Sequence, residues 1–283
     1  MPVPTRDAST VLPLRDADAG LEVFMIKRST RLGFLGGAHV FPGGAVDNED
    51  CAADLDAYLE GFDAENASST LGISDLSRAR GHYVAAIREL FEEAGILLAR
   101  ASGRWIEHDD DLQWVRYRSA LVRGELGFGH FVRELNLKLA TDALSYFAHW
   151  ITPASEHKRF DTRFFLAKMP SCQRAEHDRV ESVHGEWISP GEALARYARG
   201  EIGMVVPTIC ALDRLALHSD AEDALRACRT LDVVDVVPKI VALDEQVAIL
   251  YPGDPDYDAP DGITEPGRML NRRVLKDGLW VKP

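Results

Sequence analysis

Apolar positions recur along this chain at two different periods, and the periods predict most of its elements. Between 80 and 95, Tyr83, Ile87, Leu90, Phe91 and Ala94 follow one another at spacings of three and four, and Gly95 fits a helix stop. Upstream, STVLPL (9–14) and EVFMIKR (22–28) are apolar and β-branched. They flank DADAG, which predicts an antiparallel hairpin with Gly20 supplying the turn. AHVFPGGAVD (38–47) is expected as a short apolar strand halted by Pro42 and two glycines, where the backbone bends tightly or comes close to a neighbour.

Residues 51–79 are mostly acidic, Ala and Ser, with a helix-like run in DLDAYLEGF, and are expected as an inserted surface excursion. After the apolar run ILLA (96–99), the segments DDDLQWVRYRSALVRGEL and HFVRELNLKL (109–139) predict helices. LSYFAHWITP (144–153) and TRFFLAKMP (162–170) are β-rich. VHGEWISPGEALARYARGE starts as a strand, turns at Ser189-Pro190-Gly191 and continues as a helix, since proline suits the first helical turn. VPTICALDRLALH and AEDALRAC predict two more helices. VALDEQVAILYPGDPDYDAPDG, in the tail from 238, predicts one strand followed by an irregular surface segment. No repeat and no convincing linker divides the chain.

Composition narrows the partners. At 46% hydrophobic residues, with five Trp, seven Tyr and eleven Phe, the 283 residues suffice for a real core. A net charge of −13 argues against a sequence-independent grip on nucleic acid, which needs clustered Lys and Arg. An anionic substrate must then be held by local cations or by metal. Cys51, Cys172, Cys210 and Cys228 show no CxxC spacing, so neither a zinc knuckle nor a disulfide framework is indicated. No leader pattern and no apolar run of spanning length is present, so a soluble cytoplasmic protein with no membrane partner is expected.

The stretch RELFEEAG (88–95) then stands out, with three carboxylates and an arginine in eight positions. At about 100° per residue, Glu89, Glu92 and Glu93 share one sector about 100° wide, turned away from the apolar face. Like charges at i and i+4 destabilise a helix by roughly 0.2–0.5 kcal/mol a pair, so something should offset the repulsion. A solvated polar face would do so through water. A hard divalent cation would do so by coordination, since Mg²⁺ prefers oxygen ligands and carboxylates one turn apart can share such an ion. Composition leaves both open.

Residue order favours the second. Arg88, Glu89, Leu90, Glu92, Glu93, Gly95 and Ile96 form R-E-L-x-E-E-x-G-I, which resembles the second half of the Nudix box, G-x5-E-x7-R-E-U-x-E-E-x-G-U with U aliphatic. The first half is displaced: counting back from Arg88 puts Arg80 at the Glu position and Ser74 at the Gly position. Counting forward from Gly44 instead reaches Asp50, a conservative stand-in for that Glu. Residues 51–87 then separate Asp50 from Arg88, 37 positions where the pattern has 7, an insertion of 30. A box split in this way is similar to the long-insertion coenzyme A diphosphatases of the family. KRSTRLGFLGGAHVFPGG (27–44), WITPASEHKRFDTRFFLA (150–167) and the VVPT start at 205 extend the resemblance over most of 9–215.

That resemblance implies a fold and a chemistry. The fold would be α/β, a Nudix-type α/β/α sandwich with a mixed central sheet and additional C-terminal helices. The Nudix domain would cover 1–235, interrupted at about 51–80, with a C-terminal extension, 236–283, packed on it. The activity would be Mg²⁺- or Mn²⁺-dependent hydrolysis of a pyrophosphate bond in a small nucleoside diphosphate derivative, and a homodimer is allowed. Glu89 and Glu93 become the metal ligands, Glu92 the third ligand with a share in catalysis, Arg88 the residue that orients a glutamate, and Gly44 a carbonyl donor. Glu181, with Glu186 as rival, is the candidate base, and Arg28, Arg31, Arg159 and Arg163, with Lys158, are candidate diphosphate cations. His39, His149 and His157 receive no role.

Substrate is less sharply defined. In the signature of the family's coenzyme A hydrolases, Arg28, Ser29, Gly37 and FPGG align, while the second arginine position is Gly33 and the L-L-T positions read Phe24, Met25 and Ile26. Coenzyme A or acyl-coenzyme A is the leading expectation, with ADP-ribose, NADH and dinucleotide polyphosphates open. A non-catalytic metabolite sensor on the same fold is the rival from another class, and clustered carboxylates argue against it. An assembly protein using the insertion and tail as contact surfaces has no exposed apolar stripe to support it.

Overall fold

The computed structural model describes residues 3–31, 36–107, 112–178, 180–243, 246–258 and 270–283. The first two strands, β1 (Arg6–Ala17) and β2 (Gly20–Arg28), form the expected hairpin, and Gly20 takes a positive φ of 111° at the turn. β3 (Ala38–Val40) pairs with β2. The glycines after it do not simply halt a strand: Gly43–Ala45 is itself β4, antiparallel to Ala8, Ser9 and Thr10 of β1. A Cβ on Gly43 would lie 2.5 Å from the Ser9 carbonyl oxygen, so the close approach needs glycine.

The inserted segment differs from the expected surface excursion. DLDAY forms a 3₁₀ turn rather than an α-helix, followed by β5 (Leu59–Glu60). The α-helix is α1 (Ala64–Leu71), begun by the Asp63 side chain accepting from the Asn66 amide and ended by Gly72. Leu55 and Leu71 are buried in the core, so the insertion packs rather than protrudes. α2 (Leu76–Ala94) follows, then β6 (Ala99–Ala101), β7 (Arg104–Trp105), α3 (Leu112–Val122), α4 (Phe128–Glu134) and β8 (Lys138–Ala140). The expected DDD start of α3 lies outside the described residues.

β9 (Ser145–Ile151), β10 (Phe160–Lys168), β11 (Ser182–Ile188), α5 (Pro190–Ala198), α6 (Val206–Leu215) and α7 (Ala221–Arg229) match the expected sequence of elements, while β12 (Gly203–Met204), which precedes α6 and pairs with β3, and β13 (Asp235–Val236), which pairs with β9, are additional short strands. The main sheet runs β12-β3-β2-β1-β10-β9-β13, with β11 on β2 and β4 on β1; β1 and β10 are parallel, β9 and β10 antiparallel. Alternation along the strands builds two layers. Phe24, Ile26 and Phe165 join the core around α2, whereas Val23, Met25 and Leu166 join the core around α5, α6 and α7. The result is the expected α/β/α sandwich with a mixed sheet.

The tail departs from expectation. β14 (Lys239–Leu243), β15 (Gln246–Leu250), β16 (Arg272–Lys276) and β17 (Leu279–Val281) form a separate antiparallel sheet. Ile249 and Tyr251 are buried in the α5–α7 core, Tyr251 meets Trp150 edge-on at 5.8 Å, and the Trp280 amide donates to the Tyr197 hydroxyl at 2.6 Å. All four cysteines are free. Among the described residues no helix is long and apolar enough to cross a membrane.

Candidate active site

The site is built on the C-terminal half of α2. Asp75 fixes the helix start by accepting from the Ser77 and Arg78 amides, and Gly95, at φ 69°, stops it. The acidic sector is not a solvated face. The side chains of Glu89, Glu92 and Glu93 are 14%, 17% and 7% exposed, because β4 lies across them.

Asp50 closes the displaced half of the motif in space. Arg88 donates from Nε to Asp50 Oδ1 at 3.0 Å and from Nη2 to Oδ2 at 2.9 Å, a two-bond clamp across 38 positions of sequence. Nη2 also donates to the Ala45 carbonyl, and Nη1 to Glu89 Oε1, both at 2.8 Å. Burial pushes the Asp50 carboxyl up, with Arg88 pulling it only part of the way back. For Arg88, burial disfavours the charge but Asp50 and the neighbouring glutamates outweigh it, so its pKa is raised. Both shifts are upward, which favours the charge on Arg88 and disfavours it on Asp50; the bidentate geometry, which only an ionised carboxylate fully satisfies, decides for an ion pair.

Glu93 accepts from the Gly43 amide at 2.7 Å and lies 3.8 Å from Arg28. A Cβ on Gly44 would fall 2.4 Å from Glu89 Oε1, so the absence of a side chain there lets backbone and carboxylate meet. Burial raises the carboxyl pKa of both, Glu93 the more strongly because Glu89 repels it as well. Burial also carries Glu92 up to about 7, opposed by Arg88 at 3.6 Å.

Glu89, Glu93, Gly44 and Arg28 line a cavity of about 700 Å³, with Glu181 at its rim. Arg28 spans the two sides, 3.6 Å from Glu181 and 3.8 Å from Glu93. Glu181 is half exposed, and its loop is held by Asp178, whose carboxylate accepts from the amides of Val180, Glu181 and Ser182 and from the Ser182 hydroxyl. Its rival Glu186 pairs with Arg196 at 2.9 Å instead and does not line the cavity.

Other predicted residues lie elsewhere. Glu92 sits beside Arg88 outside the cavity lining. Arg31 is exposed on the turn after β2, outside the lining, and Gly33 lies outside the described residues. Arg159 spends its guanidinium on the carbonyls of Thr152, Pro153 and Val3. Arg163 is buried, bonded to Asp161 and the Leu71 carbonyl. The alternation on β10 explains it: Phe160, Thr162 and Phe164 face the cavity, so Arg163 faces α1 and α2. Lys158 does line the cavity, and so does Arg6, which the sequence reading did not single out.

The donor set suits a hard divalent cation: two buried carboxylates one turn apart, each with a single hydrogen-bond donor, beside a backbone approach that a Cβ would block. Among the described residues no three His, Cys, Asp or Glu side chains are already gathered as a ligand shell.

A family model described as the NUDT19 Nudix domain matches residues 74–215. The chain belongs to the Nudix hydrolases. As a Nudix enzyme it is a pyrophosphohydrolase. The match starts after Asp50, the residue that Arg88 clamps. The acyl-coenzyme A diphosphatase NUDT19 of Gallus gallus is 30% identical over 91% of this chain and 80% of its own length. The Homo sapiens protein of the same name is 26% identical over 89% of this chain and 77% of its own. The crystal structure of a NUDIX hydrolase from Alicyclobacillus acidocaldarius superposes with a TM-score of 0.68 at 27% identity, covering 82% of this chain and 99% of that one.

Proposed function

We propose that this Nudix enzyme hydrolyses the pyrophosphate bond of coenzyme A or an acyl-coenzyme A, with Mg²⁺ or Mn²⁺, releasing two phosphomonoesters. The observation that carries the reading is the buried Glu89–Glu93 pair, set under Gly43 and Gly44 and opening with Arg28 onto one cavity. The names of the relatives support the substrate class.

In this reading Glu89 and Glu93 hold the cation with the Gly44 carbonyl, and Glu92 has the supporting place beside Arg88. The bound cation would screen the pyrophosphate charge and lower the pKa of the attacking water. Arg88, anchored by Asp50 and Ala45, keeps Glu89 in one orientation. The Gly43 amide does the same for Glu93. Arg28, Lys158 and Arg6 meet the phosphates, and Glu181, half exposed at the rim, takes the proton from water.

The test is a panel of coenzyme A, acyl-coenzyme A, ADP-ribose, NADH and diadenosine polyphosphates, each incubated with enzyme and either Mg²⁺ or Mn²⁺. Adenosine 3′,5′-bisphosphate from the coenzyme A compounds is expected to appear fastest, and to vanish with a chelator. Faster cleavage of ADP-ribose or NADH would overturn the substrate assignment.

A further inference from the structure

The C-terminal sheet does more than pad the fold. Four of its neighbourhood's residues, Pro238, Ile240, Ile249 and Trp280, line the same cavity as Glu89 and Glu93. Ile240 and Ile249 are directly paired across β14 and β15, so their side chains stand together on one face of the sheet. Ile249 is buried, whereas Ile240 is 47% exposed, a large apolar side chain without full cover. Phe160 and Trp150 add aromatic lining from the main sheet. The cavity therefore joins two kinds of lining: Glu89, Glu93 and Arg28 beside α2, and hydrocarbon from the C-terminal sheet.

The sheet is held firmly enough to act as a wall. Arg273 pairs with Asp213 of α6 and donates to the Trp280 carbonyl, Lys282 reaches Asp213 at 2.9 Å, and Tyr251 packs edge-on against Trp150. Those anchors come from α6 and β9, two elements that also line the cavity.

We infer that this wall is the specificity-determining surface for the part of the substrate beyond the diphosphate, and that it selects an apolar tail. The inference rests on the proposed diphosphate cleavage and adds to it the residues that read the tail: Ile240, Ile249 and Trp280. Apolar surface removed from water favours binding by a factor of roughly three to four for each methylene buried, so a tail of several carbons on this wall changes kcat/KM by orders of magnitude.

The experiment compares kcat/KM for decanoyl-coenzyme A and free coenzyme A in the wild type, Ile240→Asp, Ile240→Leu and Trp280→Ala. The ratio of the two substrates is expected to fall at least about tenfold in Ile240→Asp and Trp280→Ala and to be kept in Ile240→Leu. In parallel, decanoyl-pantetheine, which carries no phosphate, is titrated against each protein and followed by tryptophan fluorescence. Binding by the wild type that weakens in Ile240→Asp supports the wall even if no coenzyme A compound is cleaved, a result that would sink the proposed function alone. An unchanged substrate ratio, or decanoyl-pantetheine binding equally well to Ile240→Asp, overturns the inference while leaving diphosphate hydrolysis standing.

Discussion

Replacing Asp50 by Ala tests whether the split motif is truly rejoined in space. Asp50 is 2% exposed and the Arg88 side chain 10%, so the substitution removes the two-bond partner of a buried guanidinium, leaving Ala45 and Glu89 to accept from it and Glu92 and Asp47 at 3.6 and 3.7 Å. Breaking a buried pair by removing one partner costs at most about 3–5 kcal/mol, the full figure applying where the remaining charge has no other partner. In a chain of this size that corresponds to a fall in Tm of roughly 6–10 °C. The intact pair itself contributes much less, because burial opposes the Asp50 carboxylate. The double variant Asp50→Ala/Arg88→Met should therefore be more stable than Asp50→Ala alone, by at least about 1 kcal/mol. Urea unfolding at neutral pH measures all three proteins. A cost below about 1 kcal/mol for the single variant, or a double variant no better than it, would refute the reasoning.

Four further outcomes follow from the same geometry. Glu93→Gln keeps the acceptor for the Gly43 amide and removes a buried like charge, so hydrolysis with Mg²⁺ should fall at least about 100-fold while Tm in metal-free buffer holds or rises; substantial residual turnover would discard Glu93 as a ligand. Gly44→Ala places a Cβ against a carboxylate that Arg88 pins, so steady-state kinetics should show a higher divalent-ion requirement with the fold intact by circular dichroism. Asp178→Ala frees the Glu181 loop, and kcat should drop with Tm unchanged; a loss matched by unfolding would assign Asp178 to stability instead. His82 is fully buried beside Ser9 and burial lowers its pKa to about 4. The unfolded chain then binds the extra proton first, so stability declines as pH falls from about 6.5 to about 4, by no more than about 3 kcal/mol from this group. His82→Asn should flatten that part of the urea-midpoint profile.

Much of this molecule is readable from periodicity. The helix at 76–94 announces itself through its apolar spacing and its Gly95 stop, and the β9 and β10 strands through their aromatic and β-branched runs. What escaped depends on contacts between distant segments. That Gly43 and Gly44 mark a tight bend or a close approach is legible, but that they form a strand, β4, against β1 and under α2 is not. The insertion reads as surface because its acidic residues outnumber the large apolar ones that enter the core, Leu55 and Leu71. In the tail, Asp277-Gly278 between RRVLK and LWV is a hairpin signal that went unused, and both residues take positive φ. Arg159 and Arg163 are basic residues at suitable positions in sequence, yet one caps carbonyls and the other faces the wrong side of β10. Asp50 could be matched by counting from Gly44, but only the fold shows that Arg88 closes on it.

The central claim is that Glu89 and Glu93 exist to hold a divalent cation against a phosphate anhydride. Manganese-soaked crystals, measured for anomalous scattering, test it most directly. The account predicts an anomalous peak between those two carboxylates and within coordination range of the Gly44 carbonyl. Crystals with the two side chains in place and no peak between them would contradict it.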